Sequence, residues 1–231
     1  MSLQVYPPIN IINIIINEFF PYRNIKLVNN RTFNDDSIIK DMEFYGYIRI
    51  DGISVNDRGD RDKIIVIVTK SNDITNSNNT ELKKIKKLIE QIDEDVITKE
   101  NKLDELFLII NKELIGKKNF TDIIKDLYDR QKKGLDLEGE RPYYSVFPYH
   151  NFSFSVPKCK ILFPHILMSK EEVNELLQND RLYISNLPII LTNDVNIIWN
   201  GGRPGQIVRI HRCSETALEA IYYRRIESHI K

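Results

Sequence analysis

Residues 63–70 read Lys-Ile-Ile-Val-Ile-Val-Thr-Lys, an unbroken run of β-branched side chains with a lysine at each end. The run has no polar face. It therefore reads as a strand buried on both sides, as in an α/β sheet. That constrains the chain strongly, because both faces of such a sheet must be covered by other elements. With 231 residues and 42% apolar content, there is material for one large domain or two modest ones.

Elements able to cover the sheet lie on either side of the run. Ile9 to Phe20 is apolar but carries Asn10, Asn13 and Asn17 on one helical face. It predicts an amphipathic helix, entered after Pro7-Pro8 and stopped by Pro21, and it is shorter than the roughly 20 residues of a membrane span. Tyr45 to Ile53 predicts a strand, followed by a charged turn over 55–62. After the central run comes a polar loop over 71–79. Leu82, Ile85, Leu88, Ile89 and Ile92 recur at helical spacing with lysines on the other side. A strand is expected around Leu106 to Ile110, and a helix over Asn119 to Lys133. The charged, glycine-bearing stretch Gly134 to Pro142 is the clearest break in this half. Phe152 to Val156 has the period of a strand. Strand and helix alternate, which predicts an N-terminal α/β domain over 1–155 with a central sheet flanked by helices. The chain is expected to change domain near Val156-Pro157. A small α+β domain is expected over 156–231.

In that second part, Ser169 and Glu172 form the pattern of a capping box, and Val173, Leu176 and Leu177 supply the apolar stripe of the helix behind it. Leu187-Pro188 marks a turn. Asp194 to Trp199 predicts a short helix ended by Gly201-Gly202. The chain then reads as turn (Gly201 to Gln206), strand (Ile207 to Ile210 and beyond), a short helix capped by Ser214 and running through Ala220, and a last strand around Tyr222 to Ile226.

No complete active site is spelled out. A nuclease of the restriction type places an acidic residue two positions before a lysine on a core strand. Before Lys70 that position is Val68, and an apolar residue cannot bind a hard cation. Asp62 would be a lone acid. Cys159, His165, His211 and Cys213 have zinc chemistry but lack the tight spacing of zinc ligands. Gly201 to Gln206 lacks the Lys-Ser/Thr ending of a phosphate loop. Ser214, His211 and Glu215 lack a nucleophile elbow. No catalytic residue, metal or cofactor is expected. Two cysteines far apart fit a reducing compartment, and no signal peptide is expected at the N-terminus. Equal numbers of basic and acidic side chains argue against a free-standing nucleic-acid binder.

What remains is a docking surface or a solvated, arginine-rich sheet edge, since lone surface charges contribute little. Arg203, Arg209, Arg212, Tyr223, Arg224 and Arg225 are the side chains that anchor interfaces, and they surround Ser214, Glu215 and Thr216. By strand alternation Arg209 and His211 share one face, while Val208, Ile210 and Arg212 share the other.

From Leu162-Phe163-Pro164-His165 to Ile226, the order of these features resembles the family of the fifth common subunit of multisubunit RNA polymerases, which includes its shorter archaeal counterpart. The resemblance rests on Leu187-Pro188, Asp194, Gly205 to Ile210, Ser214-Glu215-Thr216 and Tyr223-Arg224. Ile189, Val195 and Leu218 depart from the residues usual there, and His165 directly follows Pro164. The N-terminal half resembles, in outline, the jaw domain of eukaryotic and giant-virus members. The resemblance implies a noncatalytic subunit of a DNA-directed RNA polymerase. Its C-terminal assembly domain would dock on the largest subunit. Its jaw domain would lie near downstream duplex DNA, touching it nonspecifically and only within the complex. No membrane partner is implied. Over-use of Ile and Asn suggests an AT-rich genome. With the two-domain layout it points to a large DNA virus, hence to a viral factory in the host cytoplasm and to the virion, or to the nucleus if the chain is cellular. A metal-dependent nuclease built on the N-terminal half is the alternative from another class. A free-standing adaptor is a third.

Overall fold

The β-branched run forms the middle strand of a five-stranded sheet, in the order β1-β2-β3-β4-β5. These strands span Ile25–Leu27, Tyr47–Val55, Arg61–Thr69, Leu103–Ile110 and Tyr143–Pro148. The computed structural model describes residues 9–28, 33–55, 61–70, 80–98, 103–111, 118–135, 143–179, 183–214 and 218–229. β1, β2 and β3 pair antiparallel, and β3, β4 and β5 pair parallel. Ile64 to Val68 are all at most 2% exposed, the double-sided burial that the run predicts.

The parallel crossovers are α4 (Thr80–Thr98) and α5 (Lys118–Leu135). Their stripes, Ile85, Leu88, Ile89 and Ile92 on one and Ile123 and Leu127 on the other, pack with Ile65, Ile67, Leu106, Leu108 and Val146. Against other strand residues lies the N-terminal helix: α1 (Ile9–Ile14), a π-helical turn (Ile15–Phe19) and α2 (Phe20–Tyr22). Its Phe19 ring meets Phe107 and Phe152. The helix ends at Tyr22, one residue past Pro21; the π turn just before it already omits the usual i→i−4 bond, so the missing proline N–H is tolerated there.

Other expectations need correction. Tyr45 belongs to α3 (Asp35–Tyr45), not to β2. That helix is started by a reciprocal Asn34–Ser37 capping box and ended by Gly46 at φ 77°. Phe152 to Val156 is not a strand. β5 ends at Pro148, and a 3-10 turn over Tyr149–Phe152 swings Phe152 into the core. The Tyr149 hydroxyl donates to the carbonyl of Thr69, and burial pushes its pKa up. The polar loop over 71–79 lies outside the described residues, as do most of the expected turn over 55–62 and most of the stretch from Gly134 to Pro142.

One polar pair is sealed inside this unit. Arg23 donates from Nη1 and Nη2 to the two carboxylate oxygens of Glu105 on β4, at 2.7 and 3.0 Å. Glu105 is 2% exposed, and the guanidinium lies over the rings of Phe19 and Phe107.

The chain divides into two compact units, residues 1–154 and 155–231. The second holds a four-stranded sheet in the order β6-β8-β9-β7, with β6 His165–Leu167, β7 Ile189–Leu191, β8 Ile207–Ser214 and β9 Leu218–Glu227. The Ser169–Glu172 capping box starts α6 (Lys170–Asn179), each partner bonding the other's backbone N–H. Asp194 caps α7 (Val195–Asn200), and Gly201 ends it at φ 72°. Gly202 follows against the sheet, where a Cβ would come within 2.7 Å of Ile197 and Ile226. Leu167, Ile190, Ile197, Val208, Ile210 and Ile226 form this core.

Candidate subunit interface

The ladder of the second sheet sorts the arginines. Across β8 and β9, Arg209 is opposite Tyr223, Ile207 opposite Arg225, Val208 opposite Arg224 and Arg212 opposite Ala220. Opposed residues share a face, and neighbours along a strand alternate. Arg209, Tyr223 and Arg225 therefore lie on one face. Arg212 and Arg224 lie on the other, in line with the core residues Val208 and Ile210. The five arginines do not form one surface. Arg203 is in the turn before β8, its backbone N–H bonded to Gln206 Oε1 at 2.7 Å.

The edge strands extend the first face. Ile166 is opposite Arg209, Ile189 opposite Arg225 and Leu191 opposite Glu227, while Ile221 is opposite His211. Ile166, Ile189, Leu191 and Ile221 are 41%, 45%, 43% and 48% exposed. Among them run two guanidiniums. Arg209 meets Glu172 of α6 at 3.4 Å, and Arg225 meets Glu227 at 2.5 Å. Among the described residues, the Nε atoms of Arg209, Arg212 and Arg225 are buried and have no hydrogen-bond acceptor. An orphaned buried donor costs about 1–3 kcal/mol.

On the other face, Arg212 is held by rings. Its guanidinium lies 5.6 Å from Phe163 and 5.0 Å from Tyr222. Arg224 Nη1 donates to the carbonyl of Ile189 at 3.3 Å. Both arginines thus also serve the fold. At the end of the sheet, Thr192 Oγ1 meets His229 Nδ1 at 2.8 Å, and burial lowers the His229 pKa.

The short helix expected through Ala220 is absent. β8 runs to Ser214, which is opposite Leu218, and β9 carries Ala220 in the ladder. Ile221, Tyr222 and Tyr223 are strand-favouring residues, and the pairing prevails over the serine cap. Glu215, Thr216 and the Ser214 side chain lie outside the described residues. So do the side chains of Asp62 and Cys213. Among the described residues no group of three or more His, Cys, Asp or Glu is placed to hold a metal, and no helix is long and apolar enough to cross a membrane.

Two antiparallel strands flanked by short edge strands, with one face on a helix and the other bearing arginine and isoleucine, define a small α+β domain. Comparison with known proteins gives it a family. The family model described as RNA polymerase Rpb5, C-terminal domain, matches residues 154–226. The chain is 40% identical over 62 residues to the DNA-directed RNA polymerase subunit Rpo5 of Thermococcus celer, covering 27% of this chain and 76% of that protein. It is 34% identical over 134 residues to the DNA-directed RNA polymerase RPB5 homolog of African swine fever virus (isolate Tick/Malawi/Lil 20-1/1983). That match covers 57% of this chain and 60% of the viral protein's length. The chain belongs to the RNA polymerase Rpb5 family.

Proposed function

We propose that this protein is a noncatalytic subunit of a DNA-directed RNA polymerase encoded by a large DNA virus. Residues 156–231 dock on the largest subunit, and residues 1–155 form part of the lower jaw beside downstream duplex DNA. The open sheet face carries the docking reading. It combines four exposed aliphatic side chains with the partly exposed guanidinium side chains of Arg209 and Arg225, and it lies inside the family match. The names of the relatives support the polymerase, and the African swine fever virus homologs support the viral origin. Such a protein would act in a viral factory in the host cytoplasm and be carried in the virion.

Co-purification tests the proposal. Tagged protein expressed during infection is expected to bring down the large polymerase subunits. Arg225→Glu is expected to reduce that recovery at least tenfold, because charge reversal at an interface can cost several kcal/mol, beside a smaller loss of thermal stability from repulsion by Glu227. Absence of polymerase subunits from the wild-type pull-down would sink the reading.

A further inference from the structure

β9 is longer than the strand beside it. It spans Leu218–Glu227, but β7 pairs only with Arg225, Ile226 and Glu227. From Leu218 to Arg224, β9 has β8 on one side and, among the described residues, no strand on the other.

Hydrogen bonds at the covered end fix which backbone groups point to that free side. Arg225 N–H donates to the Pro188 carbonyl at 2.9 Å, and the Glu227 carbonyl accepts from Thr192 N–H at 2.9 Å, both toward β7. Ile226, between them, bonds the other way. It donates to the Gln206 carbonyl at 2.8 Å and accepts from Gly205 N–H at 2.9 Å. Backbone groups alternate sides along a strand, and the β8–β9 register runs unbroken from Ile207 opposite Arg225 to Ser214 opposite Leu218. The N–H and C=O groups of Glu219, Ile221 and Tyr223 therefore point to the free edge. Those of Ala220, Tyr222 and Arg224 point to β8.

Open edges are commonly blunted by brevity, proline or a bulge. β6 and β7 are blunted by brevity, at three residues each. The free stretch of β9 has no proline and no bulge. Its Ile221 and Tyr222 are each 48% exposed.

We propose that the Glu219–Tyr223 edge of β9 accepts an extended segment of a polymerase subunit as an added strand, in the lane that β7 leaves empty. The backbone selects the occupant, because N–H and C=O groups at strand spacing are matched by another strand. The neighbours set its side chains. On one face the added strand meets Ile221 and, at its end, Ile189, so apolar residues fit there. On the other it meets Tyr222 and Arg224, with the Arg212 guanidinium 5.0 Å from the Tyr222 ring, so acidic residues fit there. The choice of a polymerase subunit rests on the docking reading; the strand pairing adds how that partner is held.

The test separates backbone from side chain, using tagged full-length protein and the polymerase recovered with it. Ile221→Pro removes an edge N–H and no bond to β8, a change that edge strands tolerate. It is expected to cut recovery of the large polymerase subunits about tenfold, through a lost hydrogen bond and the clash of the ring with the added strand, with a nearly unchanged melting temperature. Ile221→Val keeps the N–H and is expected to leave recovery unchanged. Tyr222→Pro removes a bond to β8 and is expected to lower the melting temperature by about 10 °C. Hydrogen exchange reads the same edge without mutation. The Ile221 and Tyr223 amides are expected to exchange fast in the isolated chain and slowly in the complex, while those of Tyr222 and Arg224 are slow in both. Full recovery with Ile221→Pro, or Ile221 and Tyr223 amides that stay fast in the complex, would overturn the added strand and leave docking standing. An equal loss with Ile221→Val would assign the effect to the side chain and overturn it too. Dimers of the isolated chain that Ile221→Pro dissolves would make the occupant a second copy and overturn the choice of partner. A wild-type chain that recovers no polymerase subunit would sink docking and the added strand together.

Discussion

The two sheets solve different problems. In the five-stranded sheet, β3 is buried along Ile64 to Val68, with the stripes of α4 and α5 packed on some of its side chains and the N-terminal helix reaching the strand beside it. In the four-stranded sheet, the core gathers on one face, and the other keeps Ile166, Ile189, Leu191 and Ile221 in solvent beside Arg209 and Arg225. The strand β7 shows the contrast within three residues: Ile190 is 8% exposed, and its neighbours are 45% and 43% exposed. A sheet closed on both sides uses its apolar area for its own stability. A sheet left open on one side leaves apolar area and guanidinium groups in solvent.

The comparison can be broken by mutation. The largest effect is expected in the closed sheet. Arg23→Ala removes the guanidinium that both oxygens of the Glu105 carboxylate, at 2% exposure, accept from and is expected to destabilise the N-terminal unit by about 3 kcal/mol; denaturant unfolding showing less than about 1 kcal/mol would mean that this pair is not what holds the carboxylate. Next, Ile190→Ala removes a side chain from the small core of the second unit. A loss of about 2–5 kcal/mol is expected, and a negligible shift in the unfolding midpoint would show that this core is not tightly packed. Ser169→Ala opens the capping box of α6 and is expected to cost about 1 kcal/mol by the same measurement. A loss as large as that of Ile190→Ala would point to a role beyond the cap. The smallest effect decides most. Ile189→Ser lies one residue from Ile190 but on the open face, and is expected to change stability by no more than about 0.5 kcal/mol while reducing co-purification with polymerase subunits. A stability loss matching that of Ile190→Ala would close the open face.

Much of this architecture is legible in the amino-acid order because its signals are local. The β-branched run of β3, the lysine-backed stripe of α4 and the Ser169–Glu172 box each state their structure within a few residues. α3 carries a local signal too, Asn34 with Ser37 and Gly46, but its apolar stripe is only Ile38 and Met42 and is easily passed over. The failures have a different origin. Phe152 alternates like a strand residue, yet it is drawn into a 3-10 turn by the core around Phe19 and Phe147. Ser214 looks like a helix cap, yet the pairing of Tyr222 and Tyr223 across to β8 governs that stretch. The candidate interface was legible as a set of residue types. Alternation along β8 already separated Arg209 from Arg212; how Tyr223, Arg224 and Arg225 join those faces was not legible, because that depends on the register of β9 against β8.

The order of strands in the second unit also bears on how it comes together in time. β8 and β9 are neighbours along the chain and pair from Ser214 opposite Leu218. The edges arrive from far along the chain: Leu167 pairs with Val208, and Ile190 with Ile226. Closing long loops costs entropy before any contact offsets it. The hairpin is therefore the natural nucleus, and β6 and β7 are late additions to a template already standing. Substitutions at Val208 and Ile210 should slow folding, whereas those at Ile190 should chiefly hasten unfolding. The same hairpin carries Arg209, Tyr223 and Arg225, so the residues proposed to meet the partner would be aligned before the domain around them is complete.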